Sequence, residues 1–295
     1  MPPETPQQRR RRLSVISGVT GNSYDFTHIC KRKPDRVGIV AEGDSWFAYP
    51  RKWIAFGADI NIVHHVSDKI HGTNKANLLR LASNGDEAVD MTSGKQFKKL
   101  YRTLKRNKEF VDILLFSAGG NDMVGKNDML PLLNDYLPGM TFLDCVNSVR
   151  FEQKLQSILL AYERLVNLCA DIIPQAQIIT HTYDIAVPWD QGAEFFWGLI
   201  KTKPWVKPYL LRRGIPDSLH APILEYMLTA FGNRLIALSQ ASPNNQRLRV
   251  VQTQGTLTPG SESDWLNEIH PTEEGFKRIS QKIYAEMKTV APSLP

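Results

Sequence analysis

Five short apolar runs, at residues 37–40, 78–82, 111–117, 176–180 and 248–251, alternate with longer stretches of helical rhythm. An apolar run of this kind bounded by polar residues suits a buried parallel strand. Between them the period changes. Leu155, Leu159, Tyr162, Leu165, Val166 and Cys169 fall on one face of a helix expected over 149–172, and Pro174 stops it. Strands alternating with helices predict a parallel sheet covered on both faces, an α/β class. No internal repeat or domain linker interrupts the pattern. A chain of 295 residues can form one large α/β domain or two small ones.

Residues 1–35 are polar and basic and read as a loosely ordered tail, with Arg9–Arg12 consecutive. After the first strand, residues 46–57 form an aromatic loop with Trp46, Phe47, Tyr49, Trp53 and Phe56. Ile60, Val63, Ser67 and Ile70 then show helical spacing, with His64, His65 and His71 nearby. Consecutive histidines point to different faces of a helix, so these read as surface or packing groups, with no metal expected. Helices are also expected over 95–107, 223–240 and 273–287. Residues 189–222 hold Phe195, Phe196, Trp197, Trp205 and Tyr209 beside several lysines and arginines. They read either as a lid or acyl pocket over the active edge, or as a helical hairpin buried on the core.

Ser45 emerges at the carboxyl end of the first strand, the edge at which open α/β sheets bind ligands. Gly43-Asp44-Ser45 there, Gly119-Gly120-Asn121-Asp122 after the third strand and His270-Pro271 near the end stand in an order that resembles the SGNH (GDSL-type) hydrolases. The resemblance runs from residue 37 to about 285. It implies a single flavodoxin-like three-layer α/β/α sandwich of about five parallel strands over 36–295, with an aromatic-rich helical insertion at 189–222 before the last strand. It also implies a serine esterase or lipase. A serine hydroxyl needs a base within reach, and histidine is the usual one. Ser45 is then the nucleophile and His270 the general base.

An ester transition state needs preorganised donors for its oxyanion. In the resemblance these are the Ser45 amide, Gly85 after the second strand and the Asn121 side chain. Ordinary turn chemistry would use the same glycines and asparagines. Asp44, Trp46 and His181 are candidates for the substrate pocket. One position departs from the pattern: an aspartate is expected three residues before the histidine, and Asn267 stands there. Asn267 can accept the imidazole N–H but brings no charge; Asp264, six residues before the histidine, is a substitute orienting group, a backbone carbonyl is another, and Glu268 stands two residues before it.

Cys30, Cys145 and Cys169 form no CxxC pair and no metal-ligand spacing. No apolar run reaches the ~18 residues a bilayer span needs, and residues 9–19 do not continue as a signal sequence, so a cytoplasmic protein is expected. The net charge of +6 is diffuse, and no motif for specific nucleic-acid binding accompanies it. No metal or organic cofactor is expected. The expected partner is a small-molecule or lipid ester, the aromatic insertion tilting toward a lipid or medium acyl chain. Two rival readings follow from Asn267 and the basic residues: a catalytically weak binding protein, and an effector with peripheral contact to an anionic membrane.

Overall fold

The computed structural model describes residues 4–49, 60–82, 87–124, 128–190, 194–195, 200–201 and 204–295. Its sheet contains β1 (Val19–Thr20), β2 (Val37–Gly43), β3 (Ala76–Arg80), β4 (Ile113–Ser117) and β5 (Gln177–His181). A small antiparallel pair, β6 (Glu194–Phe195) and β7 (Ile200–Lys201), lies outside it, and β8 (Leu248–Val251) completes it. The six main strands are all parallel, in the order β1-β3-β2-β4-β5-β8. Every residue of β2 and β4 is buried. This is why those runs are continuously apolar and do not alternate.

Crossovers carry the chain between parallel strands. They contain α2 (Ser23–Arg32), α3 (Ser45–Ala48), α4 (Ile62–Ile70), α5 (Ala88–Met91), α6 (Gly94–Arg106), α7 (Gly120–Val124), α8 (Ser148–Ile172), α9 (Lys207–Arg212) and α10 (Asp217–Gln240), while α1 (Pro6–Ser17) precedes β1 and α11 (Glu273–Val290) follows β8. Helix α4 packs on α11, and α8 packs on α5, α6 and α10. With the sheet between them these form the three layers expected. Tyr162 of α8 meets Phe116 of β4 edge-on, and its hydroxyl donates to the Ala118 carbonyl at 2.8 Å. The longest helix is thereby registered against the loop that follows β4.

The N-terminal segment differs from the loose tail expected. Thr5 caps α1 in a reciprocal pair with Gln8, Gly18 ends it in the left-handed conformation, and β1 adds a sixth strand beside β3. The physical reason is Asp25, which is 1% exposed and receives Arg10 at 2.6 Å and Arg11 at 3.2 Å. The basic run that suggested a solvated tail is partly spent on holding α1 to α2. Residues 189–222 also differ from a helical hairpin, since β6, β7 and α9 occupy their described part. Helix α10 begins at Asp217 and runs through Pro222, so the insertion ends earlier than the proline suggested. A proline this near a helix start removes a single ladder bond. Phe196 and Trp197 lie outside the described residues.

Candidate active site

The carboxyl ends of β2, β4 and β5 gather the candidate groups on one edge. Strand β2 delivers Gly43, then Asp44 and Ser45. A Cβ at Gly43 would stand 2.8 Å from the Ser117 carbonyl, so only glycine lets the chain turn this close to β4. Asp44 then caps α3, accepting the Trp46 amide at 3.0 Å, while its own amide donates to the Ser117 carbonyl at 3.0 Å. Ser45 is therefore fixed at the first position of a short helix, with its hydroxyl turned to the chain's far end.

His270 comes from the loop between β8 and α11. Its Nε2 lies 2.8 Å from the Ser45 hydroxyl, across 225 positions of sequence. Its Nδ1 lies 3.0 Å from the side-chain oxygen of Asn267. The same oxygen accepts the backbone amides of Ile269 at 3.2 Å and His270 at 3.0 Å, and the Asn267 amide nitrogen donates to the Tyr49 hydroxyl at 3.1 Å. The atom facing Nδ1 is thus an acceptor, and Nδ1 carries the proton. Nε2 then presents a lone pair to the Ser45 hydroxyl, the arrangement a general base requires. His270 is 4% exposed, and burial pushes its pKa down to about 3.

Asp264, the substitute orienting group, is committed elsewhere. It accepts the Thr258 amide at 2.7 Å and pairs with Arg278, which holds its carboxyl low, at about 2. Glu268, two residues before His270, is also buried, and burial raises its pKa. Its carboxylate accepts the amides of Trp205, Val206 at 2.7 Å, Lys207 at 2.7 Å and Trp189 at 3.4 Å. One side chain thereby ties both ends of the insertion to the histidine loop.

Asn121, Gly120 and Asp44 border a cavity beside Ser45, walled by Val124, Ala186, Leu228 and Ile269. Gly119 enters the Asn121 turn at φ 106°, a conformation glycine adopts freely. Asp122, fully buried, holds the Ala88 amide at 2.7 Å and so ties α7 to the segment that follows residues 83–86. Gly85, the second expected oxyanion donor, lies outside the described residues.

Trp46 borders the cavity and bridges two parts of the site, since its indole N–H donates to the Ile269 carbonyl at 3.2 Å. Its ring stacks on His181 at 5.5 Å. His181 itself is fully buried behind the cavity, with Nε2 3.0 Å from the Ser117 hydroxyl, and burial pushes its pKa down to about 4. Ser117 and Tyr183 both hydrogen-bond the Asp44 carboxylate. Desolvation outweighs those bonds and raises Asp44 to about 7.

Sequence patterns pointed to Ser45, Asn267 and His270, which the fold brings into one hydrogen-bonded chain. They did not single out Tyr49, Trp205 or Glu268, although all three surround the histidine loop. Tyr49 and Trp205 stood out only as members of aromatic-rich stretches, and Glu268 only as a charge next to the motif. Among the described residues one group of three could gather round a metal ion, His64, His65 and Asp68. There His64 pairs with Asp68 at 3.2 Å, and His65 meets the Glu273 carbonyl at 3.1 Å. No helix among the described residues is long and apolar enough to cross a membrane.

No protein-family profile matches the chain, and no curated protein sequence matches it. Among solved structures it is similar to the lipase Lip_vut3 from a goat rumen metagenome, with a TM-score of 0.51 and 13% identity over 84% of this chain and 96% of that one. A carbohydrate esterase of family 3 from Talaromyces cellulolyticus is similar at TM-score 0.49 and 11% identity, covering 88% of this chain and all of that one. An aryl esterase from M. smegmatis is similar at TM-score 0.48 and 12% identity, covering 86% and 99%. The chain has the three-layer α/β fold of the SGNH hydrolases.

Proposed function

We propose that the protein is a serine esterase in which Ser45, His270 and Asn267 act as nucleophile, base and orienting group. The observation that carries this reading is the continuous chain Ser45 Oγ–His270 Nε2, 2.8 Å, and His270 Nδ1–Asn267 Oδ1, 3.0 Å. In the first half-reaction the Ser45 oxygen bonds to the ester carbonyl carbon as its proton passes to Nε2. The carbonyl oxygen becomes an anion, met by the Ser45 amide and by the Asn121 side chain. Collapse breaks the bond to the alcohol oxygen, which takes the proton from Nε2. Water then repeats the sequence on the acyl-serine and releases the acid.

The cavity beside Ser45 supports a short acyl group. It offers about 30 Å³ of water-accessible space, and one water needs roughly 10–15 Å³ of such space. Its walls are apolar, which suits an alkyl tail of an acetyl or propionyl ester more than a sugar or a charged group. The aromatic insertion, which on sequence tilts toward a longer chain, contributes none of the described walls of this cavity.

The test is reaction of the purified protein with a fluorophosphonate probe, beside Ser45→Ala and His270→Ala. Labelling at one site, lost in both variants, is the expected result. Absence of labelling in folded protein overturns the esterase reading, and labelling that persists in His270→Ala overturns the base.

A further inference from the structure

When the Ser45 proton moves to Nε2, His270 becomes a cation in a place poorly suited to one. The ring is 4% exposed, and its Nδ1 partner is a neutral amide. The carboxylates on its own loop are turned to other partners. Glu268 is occupied by four backbone amides, and Asp264 by Arg278 and the Thr258 amide. From α3, Asp44 is occupied by Trp46, Ser117 and Tyr183. Among the described residues the polar groups that touch the imidazole are Ser45 and Asn267, and neither adds a negative charge.

Among the described residues two aromatic rings pack against it. The Tyr49 ring centroid lies 4.1 Å from that of His270, tilted by 35°, and the Trp205 ring lies 5.6 Å away at 82°. A cation within about 6 Å of a ring centroid is attracted by the negative face of the π system, more strongly where water is excluded. The Tyr49 ring and the Trp205 backbone are also held by bonds that do not involve His270. The Tyr49 hydroxyl receives Asn267, and its carbonyl receives Asn61 at 3.0 Å. The Trp205 backbone is fixed on Glu268. The Tyr49 ring is therefore in place before the proton moves, and the Trp205 backbone that carries the second ring is anchored.

We infer that the Tyr49 and Trp205 rings packed against it stabilise the His270 imidazolium, taking the part that an orienting carboxylate would play and that Asn267 does not. The inference rests on the esterase reading above. Glu268 is a positioning residue in this scheme: it acts on the reaction through Trp205. The Tyr49 phenol, pushed by burial to about 12, stays neutral through the working range and contributes only its ring and its hydroxyl.

The experiment begins with fluorophosphonate labelling of the wild type, because failure there belongs to the esterase reading and not to this one. Given labelling, Trp205→Leu and Trp205→Phe are compared by steady-state hydrolysis of an aryl acetate. Trp205 is only partly buried, so its variants keep the test available where Tyr49→Leu fails to fold. Trp205→Leu is expected to lose about tenfold in kcat with little change in KM, and Trp205→Phe to recover most of that loss. The discriminating readout is the acid limb of kcat/KM in an Asn267→Asp background, where the added carboxylate lifts the limb to a workable pH. Adding Trp205→Leu there is expected to move the limb to lower pH, because the cation has lost support. A folded Trp205→Leu protein whose limb does not move overturns the inference, as does a Phe variant as impaired as the Leu variant.

Discussion

The side-chain oxygen of Asn267 receives three N–H groups of its own loop: the amides of Ile269 and His270, and Nδ1 of the His270 ring at 3.0 Å. Asparagine at this position builds the turn and selects the imidazole tautomer with one atom. Asn267→Ala removes both functions. A hydrogen bond is worth about 1 kcal/mol net, more where a buried donor is left unpaired, so a stability loss of roughly 1–3 kcal/mol is expected in urea titration. Because the base also loses its orientation, kcat is expected to fall by ~100-fold while fluorophosphonate labelling slows in step.

The acyl wall offers a second measurement. Leu228, on α10, lines the cavity beside Ser45 and is almost wholly buried. Leu228→Ala opens space for a longer tail. The ratio of kcat/KM for butyrate over acetate esters is expected to rise by about tenfold or more, since one methylene in an apolar pocket is worth ~1–3 kcal/mol. An unchanged ratio would place the acyl group elsewhere.

Stability should respond to pH in two opposite ways. His181 and His270 are held neutral by burial, at about 4 and about 3, against an ordinary value near 6.5. The unfolded chain therefore binds protons that the folded one refuses, and stability is lost as pH falls from about 6.5 toward these values. Asp44 has the reverse sign. Its folded value of about 7 lies above the unfolded 3.8, so the folded chain holds the extra proton and stability is lost as pH rises across that window. Relative to wild type, Asp44→Asn should look worst in acid and improve steadily up to about pH 7, as read from urea midpoints at successive pH values.

The N-terminal helix gives a prediction independent of the active site. Asp25→Asn keeps the shape of the side chain and removes the charge that Arg10 and Arg11 share. Hydrogen bonds to charged groups are worth ~1.5–3 kcal/mol, so trypsin cleavage within Arg9–Arg12 is expected to accelerate by about tenfold or more. Equal cleavage rates would mean that α1 is held by its apolar contacts.

Strands β2 and β4 are legible because burial on both faces leaves them largely apolar. Strand β1 is not legible: it is two residues long, and its identity as a strand comes from the register Val19–Leu78 with β3. Helices α1 and α2 are masked by their basic surface, whose meaning depends on where Asp25 sits. In the site, Ser45, Asn267 and His270 are legible through the motifs that carry the resemblance to the SGNH hydrolases. Tyr49 meets Asn267 across 218 positions and Val206 meets Glu268 across 62, distances over which no sequence period reports. The aromatic residues could be counted in the sequence, but which of them face the histidine is a property of the folded chain.

Glu268 has a consequence for how this fold can change over time. Both necks of the 189–207 segment dock on one buried carboxylate through main-chain amides, and Lys207 closes the junction by pairing with Asp190 at 2.7 Å. Main-chain docking is indifferent to side-chain identity, so such a junction works as a socket. The stretch between the necks can be lengthened, shortened or replaced while the plug stays the same, and the histidine loop beneath it need not be rebuilt.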